Sequence, residues 1–362
     1  MKPSIEQMLT KVITRDPLSI NTDWDGSLLI TAMLAWEQAT GERRYGDFAK
    51  SWFEHHKEQD HRLTDEEFYS GYTGIKSKIL REGPIPFTAY CGHWGLAYTC
   101  PGLSRLTDDP AVAEVADEIA SYMLHRASRS AHGCVYHDDD ANFVIPDTCY
   151  FASPILAIAS RLTGKSVYME QAVHQLHAYT NLFQDKETGL AHTLWSHEGM
   201  PRKFWSRASG WFGGALVNTL QYMEPTHPDY NKFADALREL AKGVVQTQRE
   251  DGGFHLLLDR PDIPVDCTAP SMIALTLRSG VQLGILEPHY DHAAQRAWEA
   301  TTRFVTAEGQ PTQAYTGWAK PAIVDGFGPN NFDKPRDFVI GLILLAAASF
   351  ETSNSNQGVI TA

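Results

Sequence analysis

An internal repeat constrains this chain more than any other feature. A unit of about sixty residues recurs along it, and a period of that length marks an array of supersecondary units. Each unit is an apolar helix, a short turn with Thr-Gly, Asp-Pro or a similar breaker, and an alanine-rich amphipathic helix. The copies run Trp24 to Ala39 with Tyr45 to His56, Gly95 to Leu106 with Val112 to Leu124, and Thr148 to Leu162 with Tyr168 to Tyr179. They continue with Gly210 to Tyr222 and Tyr230 to Val245, then Ala269 to Ile285 and Tyr290 to Val305. A sixth apolar helix, Arg336 to Phe350, nearly ends the chain, and Ile5 to Arg15 is the obvious partner for it. That pairing closes a ring.

The two helices of a unit differ in kind. The first is apolar on most sides, as in Ser209-Gly210-Trp211-Phe212-Gly213-Gly214-Ala215-Leu216, and such a helix must be buried on several faces. The second carries charge on one side, as in Phe233-Ala234-Asp235-Ala236-Leu237-Arg238-Glu239-Leu240, and buries one stripe. Inner buried helices alternating with outer amphipathic ones make an all-α, (α/α)6 toroid of six helical hairpins. An open superhelix of helical pairs is the rival, but its repeats run shorter, roughly 33 to 47 residues. The expectation is one catalytic domain over residues 1–362, with 352–362 a flexible tail.

Connections between hairpins are long, among them Lys57 to Trp94, His125 to Asp147, Thr180 to Ser209, Gln246 to Thr268 and Thr306 to Pro335. Loops of that length in a compact fold are usually functional or disordered. In a toroid they emerge at one end, over the N-termini of the inner helices, so the cleft is expected there. The nine Trp, fourteen Tyr and sixteen Phe suit a cleft lined with rings, and equally a well-packed core.

A net charge of −13 and no basic run longer than Arg43-Arg44 argue against a nucleic-acid surface. A local Arg can still reverse the field inside a cleft. Five Cys without a CxxC spacing fit neither a disulfide framework nor a zinc knuckle. No phosphate-cradling glycine loop or nucleotide motif is present, so no organic cofactor is expected. The most apolar helix, Phe338 to Ala348, is too short to span a membrane, and Met1 to Ile20 lacks the apolar core of a signal peptide. No membrane partner and a cytoplasmic location are expected.

The polar residues at the starts of the inner helices are the candidate chemistry: Asp23, Asp25, His93, Asp147, Arg207, Asp266, Arg336 and Asp337. N-capping alone explains an Asp in such a place. Asp147 differs, because Val144-Ile145-Pro146 precede it and Cys149-Tyr150-Phe151 follow. A carboxyl in apolar surroundings keeps its proton to higher pH, as a general acid requires. Arg207, between Trp205 and Trp211, is placed to clamp a carboxylate. His192 and Trp195, after the turn Asp185 to Gly189, are placed to line the mouth as a sugar platform. Trp94 and Asp25 are further candidates for holding substrate.

Together Asp147-Thr148, Leu162-Thr163-Gly164-Lys165, Asp185 to Gly189 and Arg207 to Trp211 resemble the unsaturated uronyl hydrolases of glycoside hydrolase families 88 and 105. The likeness runs from Trp24 to about Ala348 and is strongest from His132 to Leu220. It implies a monomeric or homodimeric (α/α)6 enzyme without a metal, acting on an oligosaccharide. It further implies hydration of the C4=C5 double bond of an unsaturated uronic acid at the non-reducing end. In that scheme Asp147 protonates C4, water adds at C5, and the hemiketal collapses and releases the remaining sugar. Asp147 matches the catalytic Asp; Arg207, Trp211, His192 and His137 match substrate-side positions. The likeness breaks at Gly92-His93-Trp94-Gly95, where His93 stands in place of a second catalytic Asp. Three other readings fit the same toroid. They are a saturated glycosidase pairing Asp147 with Asp25 or Asp266, a sugar epimerase or isomerase using His93, His137, His192 and His255, and a sugar-binding scaffold.

Overall fold

A computed structural model describes residues 2–57, 91–137, 143–316 and 336–351 of the protein. Its α-helices are α1 Pro3–Ile13, α2 Trp24–Thr40, α3 Arg43–Lys57, α4 Cys100–Leu103, α5 Ala111–His125 and α6 Pro146–Thr163. They continue as α7 Ser166–Phe183, α8 Ser206–Leu220, α9 Tyr230–Thr247, α10 Thr268–Gln282, α11 His289–Arg303 and α12 Asp337–Glu351. Two 3₁₀ helices, Pro17–Ser19 and Cys91–Thr99, and one antiparallel ribbon complete the regular structure of the described residues. The ribbon pairs Phe143–Val144 (β1) with Trp195–Ser196 (β2). The tail 352–362 and most of the connection from Lys57 to Trp94 lie outside the described residues.

The inner elements close on themselves. α2 packs on the segment Cys91–Leu103, that segment on α6, α6 on α8, α8 on α10, α10 on α12, and α12 on α2. Outside them, in the same order, lie α3, α5, α7, α9, α11 and α1. This is the (α/α)6 toroid that the repeat predicts. The inner helices are buried through most of their length, as α2 is from Gly26 to Trp36. Outer α9 buries Phe233, Ala234, Ala236, Leu237, Leu240, Ala241 and Val244, a stripe at helical spacing, and leaves its charges in water. The Thr-Gly breakers end inner helices as expected. Gly41 and Gly164 take the left-handed conformation that a side chain resists, and their amides close on Glu37 and Ser160.

Ring closure uses both ends of the described chain. α1 buries Ile5, Met8, Leu9 and Val12, and the Trp36 indole of α2 donates to the Leu344 carbonyl of α12 at 3.0 Å. After α11 the turn at Gly309, with a φ of 72°, docks on α1 so closely that a Cβ there would lie 2.6 Å from the Met8 amide nitrogen.

The second inner element departs from expectation. In place of a continuous helix from Gly95 to Leu106, a 3₁₀ stretch to Thr99 precedes the single α turn of α4. Pro101 contributes to this. It lacks the N–H that would bond the Ala97 carbonyl, so the α turn begins beside it, although α6 carries Pro154 in its interior without a break. Gly95 meanwhile lies against the backbone of Trp24, where a Cβ would come within 2.6 Å of the Trp24 Cα. That contact ties the start of the second inner element to the start of α2.

Candidate active site

The inner helices run parallel, and their N-termini gather at one end of the ring. There the ring of Trp24 meets Trp211 at 6.3 Å, Phe151 at 6.5 Å and Phe338 at 4.6 Å between centroids. Tyr150 packs edge-on against Trp211 at 4.7 Å. Residues from α2, α6, α8 and α12 thus form one aromatic floor, with such pairs worth about 0.5–1.5 kcal/mol each beyond their burial.

Asp147 stands at the edge of this floor. Pro146 opens α6, and the ribbon pair of Val144 with Trp195 holds the approach to it. The residue keeps some solvent access, yet its Oδ2 is buried and has no hydrogen-bond partner among the described residues. A helix N-terminus and the charge of Arg207 both favour the ionised form, but burial outweighs them. The carboxyl is pushed up from 3.8 to about 6. It therefore holds a transferable proton near neutrality.

Arg207 lies in the first turn of α8, which begins at Ser206 rather than at Gly210, and is 4% exposed. Its guanidinium sits 4.2 Å from the Trp205 ring and 5.5 Å from that of Phe338, and it donates to the Tyr315 carbonyl. The second ring over it is thus Phe338 from α12, while Trp211 serves the floor. Burial lowers the Arg207 pKa, opposed by the charges of Asp266 and Asp147. Arg336 approaches Phe338 from another side at 5.4 Å and covers Trp24 at 5.3 Å. Two cations thus gather around one ring, Arg336 paired with Asp25 and Arg207 facing the charges of Asp266 and Asp147.

The other carboxylates are occupied. Asp25 accepts two bonds from Arg336, at 2.9 and 3.2 Å, and caps α12 through the Phe338 amide at 2.5 Å. Asp266 accepts from the amides of Thr268 at 3.1 Å and Tyr315 at 2.9 Å and from the Thr268 hydroxyl. Burial raises its pKa, with Arg207 opposing. Asp337 pairs with Arg15 at 2.6 Å, on the far side of α12's start.

The histidines divide. His192 lies 3.4 Å from Asp185, the centre of the turn that also binds the Thr188 amide and hydroxyl at 2.8 Å. His137 is buried against the Cys91 thiol at 3.1 Å and the Thr148 hydroxyl at 3.3 Å, and burial pushes its pKa down to about 4. It stays neutral, directly behind the Asp147 turn. His93 opens the second inner element with its Nε2 3.7 Å from Asp23 Oδ1, both residues 1% exposed. Trp94 points the other way, into the core against Tyr122 of α5 at 6.4 Å. Trp195 is half-buried on the ribbon, with the rings of His132 and His197 at 5.0 and 5.2 Å.

Trp24, Phe338 and Tyr315 were not singled out from sequence, nor was the ribbon. Trp24 carried a usable signal, as an aromatic at the first position of an inner helix. Tyr315, in the connection before α12, carried none.

The model of the glycosyl hydrolase family 88 matches residues 4–353. The chain belongs to glycosyl hydrolase family 88. This family 88 chain is accordingly a glycoside hydrolase, and the resemblance read from its motifs holds at the level of family. It is 24% identical over 353 residues to the unsaturated rhamnogalacturonyl hydrolase YesR of Bacillus subtilis (strain 168), covering 94% of each. It is 25% identical over 173 residues, 45% of this chain, to an unsaturated 3S-rhamnoglycuronyl hydrolase of Alteromonas sp. (strain LOR), 42% of which is covered. A possible family 105 member from Salmonella enterica superposes with a TM-score of 0.78 at 17% identity, over 96% of this chain and 92% of that one. The unsaturated glucuronyl hydrolase from Bacillus sp. GL1 superposes with a TM-score of 0.68 at 15% identity, over 94% and 89%. These likenesses support the toroid.

Proposed function

We propose that this family 88 enzyme removes an unsaturated uronic acid from the non-reducing end of oligosaccharides left by polysaccharide lyases. The observation that carries the reading is Asp147: a carboxyl pushed up to about 6, with one oxygen buried and without a hydrogen-bond partner among the described residues, beside the buried guanidinium of Arg207. Asp147 gives its proton to C4 while C5 takes up water. The same carboxylate, now ionised, accepts a proton from that water, so the enzyme returns to its starting state. The hemiketal at C5 opens, and the glycosidic bond breaks as the rest of the sugar leaves. Arg207 and Arg336, held over the rings of Trp205 and Trp24, offer the charge that a uronate carboxylate needs. His93, on the element packed between α2 and α6, holds the attacking water in this scheme.

The relatives' names support the substrate class. The alternative readings draw less from the geometry. A saturated glycosidase needs a second working carboxylate, and Asp25 and Asp266 are bound to Arg336, Phe338, Thr268 and Tyr315. A histidine-pair isomerase has His137 turned to Cys91 and Thr148. The test is the ultraviolet absorbance of the double bond in lyase-generated unsaturated disaccharides. Wild type removes the signal, and Asp147→Asn slows this by a factor on the order of 10²–10⁴, the weight of a general acid. A variant as fast as wild type, or a flat wild-type trace on both glucuronyl and galacturonyl substrates, overturns the reading.

A further inference from the structure

Arg207 is a cation in an unfavourable place. It lies in the first turn of α8, where the helix end already carries positive partial charge, and it is 4% exposed. Burying a guanidinium is costly unless its hydrogen bonds are met and an opposite charge faces it. Both come from the same quarter. The guanidinium donates to the Tyr315 carbonyl, and the Tyr315 amide donates to Asp266 Oδ1 at 2.9 Å. Asp266 is fully buried, and its charge favours the Arg207 cation more than that of Asp147 does. The backbone of Tyr315 thus joins the carboxylate on one side to the guanidinium on the other.

The stretch that carries Tyr315 is fixed at that spot. The Gln313 carbonyl accepts from the Cys267 amide at 3.1 Å, and Gln313 takes a φ of 52°, a left-handed conformation that a side chain resists. Tyr315 is buried in a small cluster with Trp205, Ala208, Leu256 and Leu257. Asp266 Oδ1 accepts a second amide, that of Thr268 at the start of α10, and Oδ2 accepts the Thr268 hydroxyl. We infer that Asp266 is a positioning residue for Arg207: it holds the Tyr315 backbone, whose carbonyl seats the guanidinium where the uronate carboxylate is proposed to bind. Asp266 touches no substrate and moves no proton. The chain of bonds runs from the start of α10, through the connection before α12, to the first turn of α8. It fixes the guanidinium over the ring of Trp205, 4.2 Å away.

This inference rests on the reading that Arg207 meets the uronate carboxylate, and the test separates the two. An unsaturated disaccharide and its methyl ester, which lacks the carboxylate charge, are compared for kcat and KM on wild type, Arg207→Gln, Asp266→Ser and Asp266→Asn. A Ser hydroxyl still accepts the local Thr268 amide but is too short for Tyr315, so the start of α10 stays bonded. Asp266→Asn keeps Oδ1 and with it both amide bonds. In Asp266→Ser the preference for the uronate over its ester, as a ratio of kcat/KM, is expected to fall roughly 10–100-fold through KM, the weight of a charge-assisted hydrogen bond. Asp266→Asn retains most of that preference. A merely structural role depresses both substrates alike, so an equal loss on uronate and ester in Asp266→Ser overturns the inference. An Asn variant as impaired in preference as the Ser variant overturns it too. If Arg207→Gln keeps the wild-type preference, or wild type acts on neither substrate, the reading of Arg207 as the carboxylate's partner falls instead. Crystal structures of wild type and Asp266→Ser then decide the positioning. The Arg207 guanidinium is expected to leave its seat over Trp205, and superposable guanidinium positions overturn the inference.

Discussion

Asp147 is pulled in two directions, by a helix N-terminus and a nearby guanidinium that favour its anion, and by burial that favours its acid. Burial wins, and the carboxyl titrates at about 6. In the proposed hydration only the protonated form starts the reaction, so activity is full below that value and lost above it. We expect kcat/KM of the wild type to hold level on the acid side and fall about tenfold per pH unit well above 6, since this ratio reports the free enzyme. A profile that rises through the same range would mean that the ionised carboxylate is the working form. The apolar neighbours Ile145, Pro146, Cys149 and Tyr150 made this environment legible in the sequence. The partners of Asp25 and Asp266 were not legible, because Arg336 and Tyr315 reach them from distant parts of the chain.

Among the elements, the apolar and amphipathic periodicities located the helices, and Thr40-Gly41 and Thr163-Gly164 marked two of their ends. The second inner element was misread because Ala and Leu favour a helix there while Pro101 removes one bond of its α form. The two-residue ribbon beside Asp147 is too short for an alternating pattern to reveal. The turn at Gly309 shows how an element depends on its neighbour, for both its positive φ and its contact with Met8 exclude a side chain. Gly309→Ala should therefore lose more than about 1 kcal/mol of stability, read as a lower urea midpoint at constant slope. An unchanged midpoint would mean that the turn is not docked on α1 in solution.

For the whole molecule, the repeat carried most of the information. Six inner helices must each find two neighbours, and with six hairpins the last finds its second neighbour in the first, so α12 returns to α2. That closure brings Asp23, His93, Asp147, Arg207 and Arg336 to one end from five separate stretches of chain, and no single stretch carries the site. The acidic chain keeps two arginines around Phe338 at that end, beside the place proposed for the anionic sugar. In the proposed reaction water adds across the double bond instead of attacking the glycosidic carbon. The measurement that separates the two is the reaction of an unsaturated disaccharide in oxygen-18 water, quenched at once with borohydride so that the new carbonyls cannot exchange, and read by mass spectrometry. Hydration begun by Asp147 predicts the solvent oxygen on C5 of the released sugar, with C1 keeping the former ring oxygen. Solvent oxygen on C1 instead would mean attack on the glycosidic carbon and would overturn the proposal.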